Sequence, residues 1–248
     1  MGACRIQYVL LLSLLGFSPC SDTLTCHKGI MVKLGNGFSK TAVGWKSFGT
    51  TEPAPNSICQ ETLLIIDVGE KSLILASKGS SHPGSNNSLD VQVFSAGPGI
   101  VAASYAHFCV TDLCNNANSS SVLLDSLSLP DSELGTTQCP VCLHFRGSCA
   151  QHTAFVVCPK GTHCYLSDMT VEGGGVNAAF SLDGCLSDFA TNVLKGQTSI
   201  GIFSAMEASD SHSSVSSSRV LVPSPLLAWM FGLSPLLSPL FAEICPLS

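Results

Sequence analysis

The sequence predicts an all-β protein made of two small, disulfide-rich domains in tandem. Three observations lead there. The 248-residue chain carries 13 cysteines, a number that in an oxidising compartment reads as a disulfide framework. Short apolar runs rich in Ile, Leu and Val are separated by glycine turns, and no stretch keeps a helical spacing. Each end of the chain carries an apolar segment of the kind that addresses a protein to the secretory route.

The two ends come first, because they decide the compartment. Arg5 precedes an apolar run from Tyr8 to Phe17, and Ser18-Pro19-Cys20-Ser21 then supplies small residues for cleavage. This is the pattern of a secretory signal peptide, placed at 1–21, and the run is too short to span a bilayer. Val220 to Phe241 is almost wholly apolar, holds Pro223, Pro225, Pro235 and Pro239, and has no Lys or Arg after it. Prolines and the missing basic flank oppose a stop-transfer helix. Small polar residues, a spacer and a hydrophobic tail form the signal for a glycosylphosphatidylinositol (GPI) anchor, placed at 213–248. The attachment residue is expected among Ser209, Ser211, Ser213, Ser214, Ser216, Ser217 and Ser218.

Removal of both ends takes away Cys4, Cys20 and Cys245. An even set remains, four in Cys26, Cys59, Cys109 and Cys114, then six in Cys139, Cys142, Cys149, Cys158, Cys164 and Cys185. Counting alone leaves three pairings open in the first group and fifteen in the second. The Cys109-to-Cys114 loop reads as a clip that pins the last strand of the first domain beside its first.

The first domain is placed at 22–129. Glu61 to Val68 and Lys71 to Ser77 are apolar with Gly69-Glu70 between them, which predicts a hairpin. Leu89 to Ser95 alternates, Gly97-Pro98-Gly99 punctuates, and Ile100 to Tyr105 predicts another strand. Asn115 to Pro130 reads as a linker. The second domain, at 130–212, has predicted strands at Tyr165 to Val171 and Val176 to Asp183, separated by Gly173-Gly174-Gly175, and a last one at Ser199 to Ser204. Cores of this size are marginal, and covalent staples make up the difference. Asn86-Asn87-Ser88 and Asn118-Ser119-Ser120 are glycosylation sequons in polar sequence, so glycans are expected on Asn86 and Asn118.

Other chemistries are excluded. A net charge of −6 makes no case for nucleic acid. Cys139-x-x-Cys142 with Cys158, His163 and Cys164 is not the spacing of a zinc ribbon. Gly-x-Ser-x-Gly does not occur, and His107 and His144 read as surface or satisfied side chains. Gly173 to Gly175 has neither the Lys-Ser/Thr ending nor the helix of a phosphate loop. No catalytic residue, metal ligand or cofactor is therefore expected.

Leu24-Thr25-Cys26, Cys59-Gln60-Glu61-Thr62-Leu63 and Cys109 to Asn115 resemble a Ly6/uPAR (three-finger) domain. Cys139-x-x-Cys142, Cys149, Cys158-x5-Cys164 and Gly184-Cys185 resemble another. Ile74 to Gly79, Gly97-Pro98-Gly99, Gly173-Gly174-Gly175 and Met1 to Tyr8 resemble a two-domain, testis-expressed, GPI-anchored glycoprotein branch of that family. The resemblance implies the pairings Cys26–Cys59, Cys109–Cys114, Cys139–Cys164, Cys142–Cys149 and Cys158–Cys185. It implies that the Asn115 amide closes the root of the first domain. Two family bridges are missing as whole pairs, near Glu52 or Pro53 with Ser80 and near Thr191 with Ser209, and the second domain lacks a terminal clip. Looser fingers and a frayed end are the expectation. The function implied is non-enzymatic: a glycoprotein held by a GPI lipid on the outer leaflet of the cell membrane, at the male germ-cell or sperm surface. It would present flat β surfaces and loop tips to other cell-surface proteins, for example ADAM-type membrane proteins, in sperm maturation and fertilisation. The alternative is a soluble secreted modulator of a receptor or protease.

Overall fold

Eleven consecutive residues, Ile58–Val68, are all buried, so this strand has something packed on both of its faces. The computed structural model describes residues 23–82, 87–129, 131–149 and 154–209. The strands are β1 (Cys26–Asn36), β2 (Gly49–Thr51), β3 (Ile58–Val68), β4 (Lys71–Ser81), β5 (Ser88–Ala96) and β6 (Ile100–Cys109). A one-turn helix, α1 (Ser121–Leu124), follows. Then come β7 (Leu134–Phe145), β8 (Ala154–Pro159), β9 (Thr162–Gly173), β10 (Val176–Ser187), β11 (Ser199–Ile200) and β12 (Phe203–Ser209). They form two six-stranded antiparallel sheets, in the orders β2-β1-β4-β3-β6-β5 and β11-β12-β9-β10-β7-β8.

Strand alternation assigns the faces. Leu64, Ile66 and Val68 of β3 join Leu73, Leu75 and Ala102 in one apolar cluster with Met169, Val171, Phe180, Leu182 and Phe203 of the second sheet. The two sheets therefore share one core and form a sandwich. Leu63, Ile65, Ile74 and Tyr105 face the other way and are covered by Phe38, Trp45, Ala117 and Leu123. The first sheet is thus the middle of three layers. Glycines let the layers close: a Cβ on Gly174, which has φ +55°, would collide with Ser77, and one on Gly99 would lie 2.7 Å from Cys185 Cβ. Ser77 Oγ donates to the Gly174 carbonyl at 2.8 Å, and Ile202 N–H donates to Thr62 Oγ1 at 3.1 Å.

Several expectations are corrected here. The flat inner faces are not open to a partner, because each is the other's core. The first part of the expected linker is packed, with Asn115, Ala117, Ser120 and Leu123 buried against the first sheet, and Pro130 lies outside the described residues. β1, β2, β7 and β8 escaped the sequence reading, since Gly29, Gly35, Pro140 and interspersed charges blur their alternation. The expected last strand is two, separated by a turn at Gly201 and Ile202. The clip does not set β6 beside β1, which neighbours β2 and β4. It instead reaches the residues before β1: Leu113 N–H donates to Thr25 O at 2.7 Å, and Thr25 N–H to Asp112 Oδ1 at 2.7 Å. The missing bridges leave no gap in pairing, since the β3–β4 ladder runs unbroken from Ile58–Ser81 to Val68–Lys71 and β12 stays paired with β9 out to Ser209. The segments 1–22 and 210–248, with Asn86 and the anchor candidates from Ser211 onward, lie outside the described residues.

Candidate functional site

The root of the first sheet is built around sulfur and one amide. Cys26–Cys59 and Cys109–Cys114 are disulfides, and Cys59 sits directly across from Cys109 in the ladder. Asn115, wholly buried, accepts from His27 N–H at 2.8 Å and donates to the carbonyls of His27 and Gln60 at 2.9 Å each and of Gly79 at 3.3 Å. One side chain thus ties β1, β3 and β4, which no run of apolar residues does at that end.

In the second sheet the bridges are Cys139–Cys164, Cys142–Cys149 and Cys158–Cys185. The sulfurs of Cys139, Cys158 and Cys185 lie within 4.8 Å of one another. That cluster is two adjacent bridges; the sulfurs are spent on each other and offer no thiolate to a metal. His163 faces Asp188 at 3.3 Å, away from that role. Where the resemblance would set a bridge between Thr191 and Ser209, Glu207 does the tying. Its carboxylate accepts from Tyr165 Oη at 2.6 Å, Val193 N–H at 2.6 Å and Leu194 N–H at 3.0 Å. Burial, and then that carboxylate, hold the Tyr165 hydroxyl well above the ordinary phenol range.

A buried charge cluster fastens the covering layer to the first sheet. Glu61 accepts from Tyr105 Oη at 2.8 Å and Ala117 N–H at 2.9 Å, and faces His107 Nδ1 and Lys78 Nζ at 3.2 Å each. Lys78 also donates to the carbonyls of Asn115 and Ala117 and lies over the Trp45 ring, 4.5 Å from its centre. Burial lowers the Lys78 pKa, against the pull of Glu61. Nothing here is arranged around a reacting atom. His107 is a satisfied partner of Glu61, and His144 is exposed.

The first sheet carries two outward features. At the end of the first sheet opposite its bridges, the tips of three hairpins meet around a cavity of about 440 Å³. Asn36 and Gly37 come from one tip, Gly69 and Glu70 from the second, Gly97 to Gly99 from the third. Asp67, 5% exposed, lines it; its Oδ2 accepts from Ser39 N–H at 2.9 Å, and its Oδ1 has no partner. The second feature is an apolar strip on β1: Ile30, Val32 and Leu34 are 40%, 41% and 47% exposed. The sequence reading missed both. The i, i+2, i+4 pattern of Ile30, Val32 and Leu34 was a signal that could have shown the strip, whereas nothing local marks Asp67.

The u-PAR/Ly-6 domain model matches residues 135–215. Rat testis-expressed protein 101 is 32% identical over 212 residues, covering 84% of this chain and 83% of that one. The chain belongs to the u-PAR/Ly-6 family. Mouse CD177 antigen is 48% identical over 237 residues, 93% of this chain, and this chain spans 29% of its length. The crystal structure of mouse TEX101 has a TM-score of 0.65 at 27% identity, covering 75% of this chain and 97% of that one. In family terms the hairpin tips are fingertips and Asn115 closes the root from which the fingers spring. Membership points to a non-enzymatic, cell-surface role. No helix among the described residues is long and apolar enough to cross a membrane.

Of the sites expected from sequence, Asn118 is exposed on the covering layer, where its carbonyl accepts from Trp45 N–H at 2.7 Å. Ser209 is the last residue of β12, paired with Ser167.

Proposed function

We propose that this u-PAR/Ly-6 protein is a non-enzymatic, GPI-anchored surface glycoprotein that binds other membrane proteins, with domains over 22–129 and 130–212. The single observation that supports this most is the division of labour in the fold. Internal surfaces are consumed in one shared core, and the fingertips, the β1 strip and other exposed apolar side chains such as Phe155 and Phe189 remain for a partner. The cysteines and the Asn115, Glu61 and Glu207 side chains are engaged in contacts that hold the fold together. A male germ-cell setting, with a part in sperm maturation and fertilisation beside ADAM-type membrane proteins, draws on the relatives whose names describe them as testis-expressed. A GPI lipid on one of the serines from Ser209 to Ser218, and glycans on Asn86 and Asn118, belong to the same reading.

The test is enzymatic release from intact germ cells. Phosphatidylinositol-specific phospholipase C should free the protein into the medium, and crosslinking before release should recover it joined to a membrane protein. Protein that stays with the cells after lipase treatment, or is found only in fluid, would sink the anchored reading.

A further inference from the structure

We infer that the open edge of β1, from Ile30 to Asn36, takes an extended segment of a partner protein as an added β-strand, apolar on one face and acidic on the other. This rests on the reading of the chain as a protein-binding module and adds the mode of contact. The backbone supplies the first reason. β4 pairs with β1 from Gly29 to Asn36 without a register shift, but β2 covers the other side of β1 only at Cys26 to Lys28. Along the rest of that side, every second N–H and C=O points away from β4 and meets no other strand among the described residues. A strand edge in this state is a template for a further strand. The other long edges are guarded. β5 has a register shift between Val93 and Ser95, and the Lys195 ammonium donates to its Val93 carbonyl. β8 pairs with β7 through a register shift between Leu134 and Gln138. Irregularities of this kind turn an edge away from pairing.

The side chains define the occupant. Ile30, Val32 and Leu34 are exposed on one face of β1, and apolar residues of an incoming strand would stand directly opposite them. Lys33 projects from the other face. Lys28, Lys33 and Lys71 are exposed along this stretch. Lys46 is exposed too, and a Cβ on Gly29 would lie 3.2 Å from its carbonyl oxygen. None of these four lysines forms an ion pair among the described residues. An acidic residue opposite Lys33 answers that charge, whereas a second copy pairing β1 with β1 would gather the same lysines on one ladder.

The experiment uses the full chain, secreted with its bridges intact and labelled with nitrogen-15, and the peptide acetyl-Asp-Thr-Val-Glu-Val-Thr-Val-amide. Run antiparallel to β1, the peptide sets its valines opposite Leu34, Val32 and Ile30 and its glutamate opposite Lys33. Saturable shifts are expected in the amides of Met31 to Leu34. Methylating the alternate peptide N–H groups that face β1 should abolish them, and methylating the other set should not. Lys33→Glu should weaken binding by about fivefold, and a peptide with lysine in place of its glutamate should restore it. No saturable shift with the parent peptide overturns the inference. So does tolerance of both methylated sets, which would make the contact a side-chain patch, or a concentration-dependent dimer that excludes the peptide. None of these assays involves a lipid, so failure here leaves lipase release untouched and the two readings fail separately.

Discussion

The Lys78 ammonium lies 3.2 Å from the Glu61 carboxylate, with both side chains only 2% exposed. The pair joins β3 to β4 and fixes the segment that crosses over them. Removing one member leaves a buried charge without its counterion. Lys78→Met should cost about 3–5 kcal/mol of unfolding free energy. The double variant Lys78→Met with Glu61→Gln should lose much less than the sum of the two singles. Urea unfolding followed by Trp45 fluorescence measures both; additive losses would show that the two charges are independent.

Asn115 offers a sharper case. Replacing it by alanine leaves three carbonyls and one amide at the root to find new partners, and should cost about 2–4 kcal/mol. Hydrogen exchange should rise first at His27. A variant as stable as the parent would mean that the four bonds contribute nothing net.

Glu207→Gln tests the hydrogen-bonded replacement for a bridge. The neutral amide weakens acceptance from Val193 and Leu194, at about 1–2 kcal/mol. Faster exchange is expected at those two amides with little change in the first sheet. Uniform acceleration everywhere would point to global loss instead.

Asp183 gives a pH signature. Burial, and then the neighbouring Asp168 charge, raise its pKa above the ordinary 3.8. The folded chain therefore holds this proton more tightly than the unfolded chain does. The contribution of the group falls as pH rises from the ordinary value through the raised one. Asp183→Asn should be more stable than the parent at neutral pH, and the gap should close below about pH 3.8. A gap that is constant with pH would contradict this.

The shared core predicts one unfolding transition for both sheets. Met169→Ala, in the second sheet, should cost about 2–5 kcal/mol and lower exchange protection across β4 of the first. Two separate calorimetric transitions would show that the sheets fold independently.

What could be read from the chain follows from range. The strands at Glu61 to Val68, Tyr165 to Val171 and Val176 to Asp183 declare themselves by composition and glycine turns, and the structure places strands there. β1 does not, because its glycines and lysines at Lys28, Gly29, Lys33 and Gly35 dilute the pattern while β4 still supplies its pairing partner. The unbroken apolar run of β3 carried a hint that went unused: a strand with one wet face would alternate, and Leu63 to Ile66 do not. That Leu64 faces Phe203's cluster is decided by residues over a hundred positions away, and Leu63 faces a layer built from both flanks of the sheet, Trp45 on one side and Leu123 on the other. Asp67 was invisible for the same reason, since its significance comes from three turns converging, not from its neighbours in sequence.

The sandwich has a further consequence for biosynthesis. A polypeptide released after Cys114 would hold both of its disulfides and still display Leu64, Ile66, Leu73 and Leu75 as a bare greasy plane. Surfaces of that kind are what chaperones retain. Splice products or truncations carrying only the amino-terminal half are therefore destined for degradation rather than export, however well their cysteines pair.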